Sequence, residues 1–311
     1  MTSAVNFILE SGISLAFLSL IYVLFLRKET FFQLNRFFLL GSLLFSVVLP
    51  FLKLRVYEPQ PVMLSEITVT PYKNLMQAVT VYSQDFSGSV EKVVLSFDLL
   101  IWIYLGGLFF FLGRFVIRSL QIAWLIRKNP VRRFDGLKLV FLKQESSPFS
   151  FLRFLFVSQS LKSKEGYDRM MAHEMEHIRQ GHSVDVIILE ILTVFQWFNP
   201  FMWMLRRAIR ENHEFLADQA VLAAGVSRGY YKKLLLSQFT GGQLLFTNNF
   251  NYSLIKNRIK MMSKIKSSKM ANIKYVFGLI PIAALIIAFA CEQKETVFPV
   301  EPENENVLTL K

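Results

Sequence analysis

Apolar residues fall along this chain in long blocks separated by short polar breaks. Residues 5–26 form the first block, broken chiefly by Asn6 and Glu10 and ended by Arg27-Lys28-Glu29. It has no charged leader and no small-residue cleavage site, so it reads as a retained membrane span. The second block, 37–52, lies between Arg36 and Lys53. It is short of the roughly 20 residues that a span needs. Phe31, Phe32 and Leu34 extend it, with Arg36 expected to snorkel to the headgroups. Residues 99–116 are the third block, interrupted late by Arg114. Residues 275–290 are the fourth, and Pro281 is tolerable there because neighbouring helices satisfy the freed carbonyl.

The polar breaks orient these blocks. Arg27, Lys28 and Arg36 lie between the first two, and Arg118, Arg127, Lys128, Arg132 and Arg133 follow the third. Seven basic residues precede the fourth, from Lys256 to Lys274. The segment 53–92 is neutral, and the tail after Cys291 has five Glu against two Lys. Basic loops stay on the cytoplasmic side. All four spans then share one orientation. Residues 1–118 are expected to hold three transmembrane helices with an extracytoplasmic loop at 53–93. Residues 119–272 form a cytoplasmic domain, 273–291 the fourth helix, and 292–311 a short acidic extracytoplasmic tail.

Inside 119–272 the pattern changes period. Residues 137–142, after Asp135-Gly136, and 154–157, after Ser146-Ser147-Pro148, read as strands of a hairpin. From Gly166 the pattern is helical. The stretch 184–205 is largely apolar but contains Asp185, Glu190, Asn199 and Pro200. Carboxylates near the centre of a bilayer are costly. It therefore reads as one buried or membrane-hugging helix of the domain rather than a fifth span. Arg206, Arg207 and Arg210 would then face anionic headgroups.

Composition agrees. Hydrophobic residues make up 53% of the 311 and charged residues 19%, against about 25% charged in soluble domains. A disordered chain, a disulfide scaffold and a simple soluble enzyme are excluded; Cys291 is the single cysteine. The net charge of +12 sits beside the spans and reports topology, so no nucleic-acid partner is expected. In the basic stretch 256–274, Ile255, Ile259, Met262 and Ile265 recur at helical spacing, which reads as an amphipathic helix running into the fourth span.

The candidate chemistry lies at His173-Glu174-Met175-Glu176-His177, an H-E-x-x-H pattern. On a helix, i and i+4 share a face. Two imidazoles so placed bind one Zn²⁺, with Glu174 beside the bound water. Two His can fall at this spacing by chance, but the chain has four His and two are here. A catalytic zinc needs a third protein ligand. His182, five residues past His177 and beyond the helix-stopping Gly181, is a poor one. The helical segment 210–218 offers Glu211, Glu214 and Asp218, with Glu214 and Asp218 at i,i+4. One carboxylate can bind the metal, and one a turn on can accept the spare N–H of a ligating His. Glu211 competes with Glu214 for the ligand role, and His213 has no assigned role.

The H-E-M-E-H helix, Trp197-Phe198-Asn199-Pro200 and His213-Glu214-Phe215-Leu216-Ala217-Asp218 together resemble the BlaR/MecR-type membrane zinc peptidases, peptidase family M56. The stretches 31–36 and 147–151 resemble that family's membrane-proximal segments. The resemblance covers roughly residues 1–290. It implies a polytopic α-helical membrane protein of about four spans. These would carry a cytoplasmic, mainly α, α+β zinc peptidase domain of gluzincin type, in the bacterial inner membrane. It implies His173, His177 and Glu214 as zinc ligands, Glu174 as general base and Asp218 as the carboxylate behind a ligand. The implied partners are membrane lipid and a cytoplasmic protein substrate, such as a transcriptional repressor or the chain itself; a homo-oligomer is admitted. One departure stands out: only residues 292–311 follow the fourth span, too few for the penicillin-binding domain of the antibiotic sensors, so β-lactam sensing by acylation is not expected. Two other classes compete, a non-catalytic membrane signalling protein with a residual zinc site and a prenyl-protease-like membrane metalloprotease.

Overall fold

The computed structural model describes residues 2–52, 54–55, 97–134, 136–160, 165–240 and 248–292. Nearly all of the loop expected at 53–93, and the acidic tail from 293 onward, lie outside the described residues. Helix α1 (Thr2–Ile21) continues into a π-helical turn, Tyr22–Leu26. Next come α2 (Phe32–Val48), a short 3₁₀ turn, β1 (Leu54–Arg55) and α3 (Phe97–Lys128). Four strands follow, then α4 (Tyr167–Arg179), α5 (His182–Phe195), α6 (Pro200–Ala223), α7 (Arg228–Thr240) and α8 (Asn248–Met262). The described chain ends with α9 (Ile273–Phe277), α10 (Leu279–Ala290) and β6 (Cys291–Glu292).

Among the described residues, four helical segments are long and apolar enough to cross a membrane: Asn6–Leu26, Phe32–Phe51, Leu99–Lys128 and Lys269–Phe289. β1 and β6 pair in parallel, so the ends of the second and fourth spans meet. At the opposite end, the turn between the first two spans grips the helical region. Arg27 donates to Glu211 at 3.2 Å, Thr30 and Ser267 exchange two hydrogen bonds, and Lys274 pairs with Glu29.

The strands β2 (Val131–Phe134), β3 (Leu137–Leu142), β4 (Phe149–Phe151) and β5 (Phe154–Ser158) form one sheet in the order β2-β3-β5-β4. The expected hairpin between 137–142 and 154–157 is not formed. β3 and β5 are parallel neighbours, while β4 turns back on β5. Both runs are apolar because they are the central strands. Val140, Leu142 and Phe156 pack on Ile122, Leu125 and Ile126 of α3, and the Phe149 and Phe156 rings stack at 4.4 Å.

The stretch 184–205 is two helices rather than one. Asn199 caps α6 by accepting from the Phe201 N–H, and Pro200 opens the helix, where its missing donor costs nothing. α5 and α6 therefore fold into an antiparallel hairpin that runs alongside the spans. Its tip reaches Ser11 and Gly12 of α1 and Tyr104 of α3. Gln196 donates to Ser11 and Asn199 to the Gly12 carbonyl, while Trp197 donates to the Tyr104 carbonyl. Leu189, Met202, Leu205 and Ile209 share one core with Leu15, Leu39 and Leu43 of the first two spans. Close approach depends on small residues: a Cβ on Gly107 would collide with the Trp197 ring.

Two arginines differ from expectation for this reason. Arg36 does not reach headgroups; it forms a two-pronged pair with Asp185. Arg206 is buried and pairs with Glu190, which Arg210 and Arg114 also approach. The hairpin brings a carboxylate to each, and a paired guanidinium needs no headgroup. The amphipathic helix expected across 256–274 stops at Met262, and Ile265 is exposed.

Candidate metal centre

α4 begins after Gly166, at φ +80°, and ends before Gly181, at φ +68°. Both conformations favour glycine, and a Cβ on Gly166 would also strike Leu234. Between these stops, His173 and His177 lie on the face that packs against α6. α6 supplies Glu214 and, one turn later, Asp218.

The Nε2 atoms of His173 and His177 lie 3.2 Å apart. His173 Nε2 is 3.4 Å from Glu214 Oε2, and His177 Nε2 is 3.6 Å from Glu214 Oε1. Ligand atoms about 2.1 Å from a tetrahedral ion stand about 3.4 Å apart. The three side chains fit that arrangement and can hold a metal ion. Glu211 does not compete. Its carboxylate turns toward Arg27, Arg207 and Asn257.

Each of these three side chains is held from behind. The Tyr231 hydroxyl lies 3.0 Å from His173 Nδ1 and donates to Asp218 at 2.9 Å. Asp218 itself is 3.4 Å from His173, so the direct contact expected from spacing is bridged by a phenol from α7. Arg258 of α8 makes two contacts to Asp218, at 2.9 and 2.5 Å, and one to Glu214 at 2.8 Å. On the other histidine, His177 Nδ1 meets His182 Nδ1 at 2.7 Å. His182 therefore stands behind His177 and is not one of the three. His213 is buried, stacked on His182 at 4.0 Å, and bonded to Asp185.

Burial and charge set the protonation of these groups. Burial alone would push Glu214 up, but the hydrogen bond from His173 and the Arg258 charge hold it far below the usual carboxylate range. Burial pushes His177 down to about 4, so its ring is neutral and one of its two ring nitrogens has a lone pair to offer. Glu174 is raised by burial, and the Ser150 hydroxyl donates to its Oε2 at 2.7 Å. Ser150 belongs to β4, the outer strand of the sheet. A cavity of about 190 Å³ opens between Ser147, Pro148, Met170, Glu174 and Glu214.

Tyr231, Arg258, Ser150 and Asp185 carry no spacing signal that links them to H-E-x-x-H. Arg258 had one local cue, since it interrupts the apolar face of Ile255, Ile259 and Met262.

No curated protein matches the chain. Residues 157–262 match the family model described as BlaR1 peptidase M56. That match starts in β5 and ends with α8, so it takes in both histidines of α4, Glu214, and the helices that carry His182, Tyr231 and Arg258. The segment that builds this centre is thus similar to the BlaR1 peptidase M56 family.

Proposed function

We propose that the chain is a membrane zinc metalloendopeptidase that hydrolyses peptide bonds on the cytoplasmic side. The observation that carries this is the convergence of His173, His177 and Glu214 at ligand spacing, with Glu174 beside them. Two imidazoles and one carboxylate are the donor set of catalytic zinc in peptidases. Zinc, when bound, supplies an acidified water and a Lewis acid for the scissile carbonyl. His173, His177 and Glu214 would hold it. Glu174 takes the proton of the attacking water and passes it to the leaving amine. Ser150 fixes one Glu174 oxygen, which leaves the other for that transfer. β4 pairs with β5 on one side only among the described strands. An extended substrate can add along its other side, which brings the scissile bond to Glu174. Asp218, through Tyr231 and Arg258, holds His173 and Glu214.

The cytoplasmic side follows from the basic residues. The helical region packs on the turn carrying Arg27 and Lys28, and basic turns are retained inside. We read its role, from the resemblance to that family, as signal transduction by cleavage of a repressor or of the chain itself. The test is to purify the full chain in detergent, measure bound zinc, and compare peptide hydrolysis with Glu174→Gln. Retained zinc with hydrolysis reduced about 10²–10⁴-fold is expected. A wild type without zinc, or a fully active variant, refutes the assignment.

A further inference from the structure

We infer that Arg36, on the second span, is a positioning residue for the metal ligand His177, acting through Asp185, His213 and His182. This rests on the metal-centre assignment above. Four helices contribute to one continuous path, buried at Asp185, His213 and His182. Arg36 Nε and Nη2 of α2 donate to Asp185 Oδ2 and Oδ1 of α5, at 2.7 and 3.0 Å. The same Oδ2 takes a hydrogen bond from His213 Nε2 of α6 at 2.8 Å. The His213 ring lies flat on the His182 ring, 4.0 Å apart and 9° from parallel. His182 Nδ1 then meets His177 Nδ1 of α4 at 2.7 Å.

The proton count along this path has one solution when a metal is bound. A neutral His177 that offers Nε2 to a metal carries its proton on Nδ1 and donates it to His182. His182 must then keep Nδ1 bare and carry its own proton on Nε2. That Nε2 is buried and has no partner among the described residues. His182 is therefore not fixed by a hydrogen bond on its far side, as a partner of a ligating His commonly is. What fixes it is the stack on His213, and His213 is fixed by Asp185. Without Arg36, Asp185 would keep only the His213 hydrogen bond and no paired charge in a buried site. A guanidinium forked on a carboxylate sets direction as well as charge. The span is thus the last fixed point of the ligand's support.

The functional consequence is directional. A rotation or slide of α2 that parts Arg36 from Asp185 loosens His213, then His182, and lets His177 turn away. Nothing at the metal itself has to be touched. A membrane-side event can reach the site by this route.

The experiment uses the full chain in detergent, with zinc affinity measured by chelator competition and ligand geometry read from the visible spectrum of the cobalt-loaded protein. Arg36→Gln and Asp185→Asn are expected to weaken zinc about 10–100-fold and to shift the cobalt bands. Arg36→Lys keeps the charge but not the fork, and is expected to fall between them and wild type. Arg27→Gln breaks a different contact between span and domain and is expected to leave both readouts unchanged. Wild-type affinity and spectrum in a folded Arg36→Gln protein overturn the inference. Should Arg36→Gln lose its helicity, Arg36→Lys and Asp185→Asn decide, and wild-type values in both overturn it. A wild type that binds neither zinc nor cobalt refutes the metal-centre assignment instead.

Discussion

The phenol oxygen of Tyr231 stands 3.0 Å from Nδ1 of His173, and beyond it lies Asp218 at 2.9 Å. Removing the hydroxyl leaves the imidazole N–H facing Asp218 at 3.4 Å, a contact that can shorten. Tyr231→Phe is therefore expected to weaken zinc about 10-fold, at the low end for such supports. Asp218→Asn does more, because it also leaves Arg258 buried without its main carboxylate. Losing one partner of a buried pair costs about 3–5 kcal/mol. Thermal unfolding beside chelator competition checks the order, and a Tyr231→Phe protein less stable than Asp218→Asn contradicts it.

Glu211 and Glu214 are one turn apart on α6 and face different partners. Glu214→Gln is expected to abolish stoichiometric zinc in the purified chain. Glu211→Gln is expected to keep zinc and lose some stability, since Arg27 and Arg207 lose a carboxylate. Elemental analysis of both proteins decides, and zinc lost only from the Glu211 variant would reverse their roles.

Asp185 links stability to pH. Burial would raise its carboxyl, but hydrogen bonds from His213 and Arg36 hold it below 3.8, its ordinary value. A group depressed on folding contributes stability that is complete above the unfolded value. That stability is lost as pH falls through the lower, folded one. The wild-type thermal midpoint should thus drop more steeply below pH 3.8 than that of Asp185→Asn. Equal slopes would mean that Asp185 is not held ionised.

Gly107 of α3 faces the Trp197 ring at the tip of the hairpin, and a Cβ there has no room. Gly107→Val is expected to push the tip away and lower stability by about 1–3 kcal/mol. Gly106→Val is the control, since a Cβ there meets nothing within 4 Å. Similar melting of the two variants would show that the tip does not press on α3.

The residues at the centre were legible where one helix carried them. His173 and His177 share a face of α4, and Glu214 and Asp218 share a face of α6, because helical period fixes such pairs. Tyr231, Arg258 and Ser150 come from three further elements, and only tertiary packing brings them to the site. For Arg36 the sequence shows an arginine next to a span but not the carboxylate opposite it. The parallel pairing of β3 and β5 was hidden for the same reason. Two apolar runs give period but not partner, and β4 between them is only three residues long. Asn199-Pro200 did mark a break, yet the length of apolar sequence on both sides favoured a single helix.

α6 runs unbroken from Pro200, beside the spans, to Ala223. At 1.5 Å per residue, Glu214 lies about 20 Å along this rod from its Pro200 end. The rod is a lever with its handle among the spans. A tilt of about 3° at the tip would move Glu214 by about 1 Å, and a misplacement of that size can cost about 100-fold in rate. Thickness, tension or composition of the surrounding lipid could then set peptidase output without any ligand reaching the centre.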